Sequence, residues 1–133
     1  WFAFENCENL KSVKIPSSVT FIGGYAFYGC KSIKSITLPK NVSNVARGAF
    51  GACDSLSKIT ILGKNTRLEK VTVGDDYGDI FYPDDNVENY AEYQAQLPQT
   101  LVIRGYKNST AQKLAKNLAK KSYAPTNVKF EEI

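Results

Sequence analysis

An α/β repeat fold is what this sequence predicts: a right-handed solenoid of about 23-residue coils carrying one short parallel sheet, closed at its C-terminal end by a helix-strand cap. Three observations lead there. A five-residue word recurs as Ala3-Phe4-Glu5-Asn6-Cys7, Ala26-Phe27-Tyr28-Gly29-Cys30 and Ala49-Phe50-Gly51-Ala52-Cys53, with the cysteines 23 residues apart. The apolar positions after each cysteine advance by the same step. Near the C-terminus a helix-start pattern follows a strand-like run, as expected where an array is closed.

Each element follows from local chemistry. The triplets Val13-Lys14-Ile15, Ile36-Thr37-Leu38 and Ile59-Thr60-Ile61 alternate apolar and polar residues, which sends the outer pair of each inward and the middle residue to the open face. Leu10, Ile33 and Leu56 precede them at matching positions, and Pro16 and Pro39 close the first two strands. Val19 with Ile22, and Val42 with Val45, are a further apolar pair repeating at 23 residues between one strand and the next word. No single coil can bury its own apolar edge, so neighbours must cover one another.

The words Ala-Phe-x-x-Cys, Leu-x-x-Ile-x-Ile-Pro and Val-x-x-Ile-Gly resemble the BspA-like class of leucine-rich repeat, most clearly in Ile22-Gly23-Gly24-Tyr25-Ala26-Phe27-Tyr28-Gly29-Cys30. Ile103-Arg104-Gly105-Tyr106-Lys107-Asn108-Ser109-Thr110-Ala111 is similar to the ending that closes such arrays. The resemblance covers residues 1–62 and 100–133, and implies the C-terminal repeats and cap of a surface protein. It implies a bacterial cell-surface or secreted protein that binds other proteins or mediates adhesion; the alternatives are a structural spacer for neighbouring domains and a glycan or anionic-polymer ligand on the open sheet face, and no cofactor is expected. In one respect the sequence departs from the common leucine-rich repeat: no stacked asparagine follows the strands, and cysteine stands on the segment before them.

Beyond Leu62 the period is expected to break, which divides the chain into regular repeats at 1–62, an irregular repeat at 63–100 and a closing unit at 101–133. Leu68, Val71 and Val73 imitate a fourth strand but follow the third too closely. Ile80-Phe81 reads as a degraded Ala-Phe word and Leu101-Val102-Ile103 as the next strand, with Asn86 to Gln96 forming a short helix capped by Asp85 or Asn86 and ending before Pro98. Ser109 followed by Gln112 reads as a capping box. Ala111, Leu114, Ala115 and Leu118 mark the buried face of that helix, and Val128-Lys129-Phe130 a last strand. Such a cap shields the apolar edge of the last coil.

Composition narrows the function. The chain has no histidine, which removes Ser-His-Asp and Cys-His catalysis, histidine bases and histidine-containing zinc sites. No apolar run is long enough to cross a bilayer, and the start lacks the pattern of a signal peptide. The chain opens inside a repeat without a methionine and so reads as a piece of a longer protein. The expectation is a non-enzymatic, monomeric module with no nucleic-acid partner and no membrane insertion of its own.

Candidate sites are few. Cys7, Cys30 and Cys53 occupy one repeat position beside Phe4, Phe27 and Phe50, so both sets read as structural ladders, and an odd number of cysteines gives no complete disulfide framework. The open sheet face is expected to show Lys14, Thr37, Thr60 and Val102, flanked by Lys11, Lys34 and Lys58, a cationic surface suited to a polar or anionic ligand. Between Gly74 and Thr100 stand seven acids and no lysine or arginine, while the chain as a whole carries +4. With Tyr77, Phe81, Tyr82, Tyr90 and Tyr93 this stretch reads as an acidic, aromatic projection that could bind a partner or be a solvated loop. Its acids fail the EF-hand spacing, and no pocket is implied for a carboxylate pair. Lys113, Lys116, Lys120 and Lys121 read as the solvated face of the last helix.

Overall fold

β-branched residues in short runs, punctuated by proline and by Gly-containing turns, favour brief strands that a parallel neighbour must complete. The computed structural model, which describes residues 1–68, 100–119 and 127–133, contains such strands in two parallel sheets. The smaller sheet consists of β1 (Phe21–Ile22), β3 (Asn44–Val45) and β5 (Arg67–Leu68) in that spatial order. The larger one runs β2 (Ser35–Leu38), β4 (Lys58–Ile61), β6 (Thr100–Gly105) and β7 (Asn127–Glu132). Between β6 and β7 lies the helix α1 (Thr110–Leu118). Among the described residues, these parallel sheets and the one helix make an α/β repeat fold.

The 23-residue step of the sequence is the pairing register. Phe21 pairs with Asn44 and Asn44 with Arg67; Ser35 pairs with Lys58 and Leu38 with Ile61. Two expectations are corrected here. A single sheet was expected, yet the second apolar pair of each repeat, Ile22, Val45 and now Leu68, builds a sheet of its own. The step also runs past Leu62, because Leu68 is the third member of that series. Leu68 reads as part of a mere strand imitation when Val71 is counted from Ile59; counted from Val45, it falls on the 23-residue step.

Two strand positions differ as well. Val13-Lys14-Ile15 is not a strand, and no backbone ladder joins it to β2. Strand β6 pairs Ile103 with Ile59 and Gly105 with Ile61, two residues out of the expected register of Ile103 beside Ile61. Facing parity survives this slip, since strands alternate with period two. Gly105 is required in this register: a Cβ there would collide with the Ala111 methyl at the start of α1.

A third set of inter-repeat bonds is made by the Ala-Phe-x-x-Cys words. The N–H groups of Phe2, Phe4 and Asn6 donate to the carbonyls of Gly24, Ala26 and Tyr28, and those of Tyr25, Phe27 and Gly29 to Arg47, Ala49 and Gly51. Each word is also folded on itself, with Cys7 N–H donating to Phe4 and Cys30 N–H to Phe27. Folding that tightly places two positions per repeat in the left-handed region: Phe2, Tyr25 and Gly48 at one, Asn6, Gly29 and Ala52 at the other. Only two of the six are glycine.

Side chains of the sheets and words meet in one core that includes Ile33, Ile36, Leu38, Phe50, Ile59, Ile61 and Ile103. Phenylalanines stack through it, Phe4 on Phe27 at 5.3 Å and Phe27 on Phe50 at 5.5 Å, with rings within 11° of parallel. At the far end α1 buries Ala111, Leu114, Ala115 and Leu118, the face expected from its spacing. Its start is not the expected capping box. The Ser109 hydroxyl makes no cap bond and is buried without a partner, while the Gln112 side chain accepts from the N–H of Asn108, one residue earlier. The Thr110 N–H donates to the Lys64 carbonyl, which ties the helix to the repeat before it. The fourth-strand imitation at Val71 and Val73, the Ile80-Phe81 word and the helix at 86–96 lie outside the described residues.

Candidate binding surface

The exposed side of the larger sheet is built by alternation. Strands β2, β4 and β6 turn Ile36, Leu38, Ile59, Ile61, Leu101 and Ile103 into the core and leave the intervening residues facing out. Pairing then sets these residues in two rows. One row is Ser35, Lys58, Val102 and Lys129; the other is Thr37, Thr60, Arg104 and Glu131. In the second row the Arg104 guanidinium Nε lies 3.1 Å from Glu131 Oε2, both side chains roughly half-exposed.

Several expected site residues fall in these rows and others do not. Thr37, Lys58, Thr60 and Val102 belong to them. Thr60 is only 7% exposed, being flanked in its row by Thr37 and Arg104, so it offers little to a ligand. Lys34 is exposed but stands one residue ahead of β2, out of phase with Ser35 and Thr37; its carbonyl accepts the N–H groups of Ser57 and Lys58. Lys14 is exposed beyond the edge of β2, where a groove of about 500 Å³ opens between Ser12 to Ser17 and the strand. Tyr77, Phe81, Tyr82, Tyr90, Tyr93, Lys120 and Lys121 lie outside the described residues.

Arg104, Glu131, Lys129 and Ser35 were missed. Arg104 falls just past the expected strand Leu101-Val102-Ile103, but the alternation of Thr100, Val102 and Arg104 against Leu101, Ile103 and Gly105 was a usable signal. Counting insertion lengths set the register two residues short and hid it.

The cysteines form a hydrogen-bonded series and not merely a set of small apolar groups. Cys30 Sγ donates to the Phe4 carbonyl and Cys53 Sγ to the Phe27 carbonyl, each at 3.1 Å, so both of these thiols reach back to the phenylalanine of the preceding word. Burial pushes the Cys30 thiol up from its ordinary value, helped by the neighbouring Cys7, and pushes Cys53 up to about 12. Such thiols are held protonated and poorly nucleophilic. All three are free, and Cys7 is exposed. Among the described residues no cluster of acidic, cysteine or histidine side chains could hold a metal ion, and no helix is long and apolar enough to cross a membrane.

Parallel strands stacked at a fixed step, with word, ladder and strand repeating together, define a leucine-rich class of repeat protein. The family model for the BspA type leucine rich repeat region matches residues 1–75 in six copies, and the chain belongs to that family. Comparison with curated proteins and with solved structures gives no match.

Proposed function

We infer that the chain is a non-catalytic protein-interaction or adhesion module of a cell-surface or secreted protein, built as a monomeric right-handed solenoid. Family membership supports the class of role. The observation that carries the reading is the pair of in-register rows on the larger sheet, where Ser35, Thr37, Lys58, Arg104 and Lys129 present hydroxyl and cationic groups on a rigid parallel frame. A face with these groups and no aromatic anchor suits a ligand held by many weak polar contacts, such as a glycan or an acidic protein surface. Lys14 and Lys34 extend that face in this reading. Residues 63–100 are taken as an irregular repeat with insertions, whose acidic, aromatic sequence favours a second contact region around Tyr77, Phe81, Tyr82, Tyr90 and Tyr93.

The test is a binding screen against surface proteins and glycan arrays with three proteins: the chain itself, Lys58→Glu combined with Lys129→Glu, and a deletion of Gly74 to Leu97. Binding that weakens with salt and is lost in the double variant supports the sheet face. Binding lost only on deletion moves the site to the insertion. No binding by any of the three leaves a spacer for neighbouring domains as the better reading.

A further inference from the structure

Strand β7 pairs along its whole length with β6 and, among the described residues, with no strand on its other side. It is not a further copy of the 23-residue pattern. Paired Thr100 and Asn127 stand 27 residues apart with α1 between them, and the outward residues Lys129 and Glu131 are charged where β2 carries Ser35 and Thr37.

Alternation fixes what this edge offers. The Ile133 N–H donates to the Gly105 carbonyl of β6, so the backbone groups of Lys129 and Glu131, at the same parity, also point towards β6. Those of Val128, Phe130 and Glu132 then point to the open edge, and no described backbone group bonds to them there. Val128 and Phe130 send their side chains inward, half-buried against the core, while Lys129 and Glu131 stand exposed on the outward face. Glu131 meets Arg104 of its own chain through Oε2, which leaves Oε1 to accept from a second cation.

An open edge accepts an added strand, and the charges on this one select which. We propose that β7 is a homodimerisation edge, pairing antiparallel with β7 of a second copy of this chain about a two-fold axis at Phe130. That register sets Phe130 opposite the partner's Phe130 and Val128 opposite the partner's Glu132. These are the residues whose N–H and carbonyl groups face the edge, so each exchanges both bonds with its opposite. Lys129 then lies opposite the partner's Glu131, and Glu131 opposite the partner's Lys129, at the positions where facing side chains approach most closely. Moving the axis one residue either way sets Lys129 against its own copy, or Glu131 against its own, so charge selects the register. Parallel pairing of the two edges turns one chain over and sets the core side of one sheet beside the outward face of the other. In the antiparallel arrangement the two outward faces join into one continuous surface, and the interface is the same patch on both chains. Pairing goes beyond the function proposed above: the single solenoid remains the folded unit. One strand edge buries less than a standard interface, so the dimer is weak and forms as copies are concentrated.

Sedimentation equilibrium of the full chain, taken up to millimolar concentration, should give an average mass that rises from 14.7 kDa towards twice that value. Lys129→Glu and Glu131→Lys each bring like charges together and should stay at monomer mass. An equal mixture of these two variants should associate at least as well as the original chain, because every facing pair is again of opposite sign. Glu132→Pro removes an N–H from the open edge and spares the bonds to β6, so it should abolish pairing with Tm nearly unchanged. It also leaves the outward rows intact, so loss of pairing is distinguishable from loss of ligand binding. A chain that stays monomeric at every concentration overturns the proposal. So does a dimer that survives Glu132→Pro, and so does a mixture no more associated than either charge variant alone.

Discussion

At the scale of single residues, the repeat carries backbone strain at fixed places and covers it with packing. Gly48 adopts φ +63°, and a Cβ there would lie 2.7 Å from the Tyr25 ring, which is itself stacked on Phe2 at 5.5 Å. Gly48→Ala should therefore cost about 2–4 kcal/mol, part conformational and part steric. In a Tyr25→Ala background the same substitution should cost only about 1–2 kcal/mol, the conformational part alone, and a double-mutant cycle by urea unfolding measures the difference. The thiols make a second prediction. A cysteine whose pKa is raised in the folded state keeps its proton while the unfolded chain loses its own, so stability falls as pH rises through the interval between the two values. For Cys53 that interval runs from 9.0 to about 12. Stability should drop by up to about 1.4 kcal/mol per pH unit across it, and Cys53→Ala should flatten the slope in urea titrations between pH 8 and 10.5.

At the scale of elements, the helix and the outward rows of the sheet differ in what they contribute. Leu114 is fully buried under the last strands, so Leu114→Ala should cost about 2–5 kcal/mol. The half-exposed Arg104 and Glu131 pair should be worth less than about 1 kcal/mol, so Arg104→Ala should leave the unfolding midpoint nearly unchanged. If Arg104 binds a ligand, the same variant should still weaken that binding, which separates the two roles. These elements also show how far the sequence could be read. Two of the three strand triplets, the helix face and the 23-residue register of the regular repeats were legible because packing in a repeat requires identical spacing in every copy. The smaller sheet was less so, since two-residue strands leave no alternation to detect. Arg104 was hidden because register across an insertion depends on which backbone groups pair, and residue counting carries no information about that.

At the scale of the whole molecule, the bonds that join repeats all point along the direction of stacking. Both sheets and the turn words contribute to them, in a register of 23 residues from β1 through β3 to β5 and from β2 to β4. Tension applied along that direction loads the bonds of one joint at a time, as a zip is opened, and not many joints together in shear. Each joint of the regular repeats that yields frees 23 residues, about 80 Å of extended chain. Pulling on the two ends in an optical trap should give a series of small, separated extensions at low force in place of one rupture. A single high-force event would show that the repeats yield together. An array with these joints should lengthen stepwise under load, so any attachment made through it should stretch before it breaks.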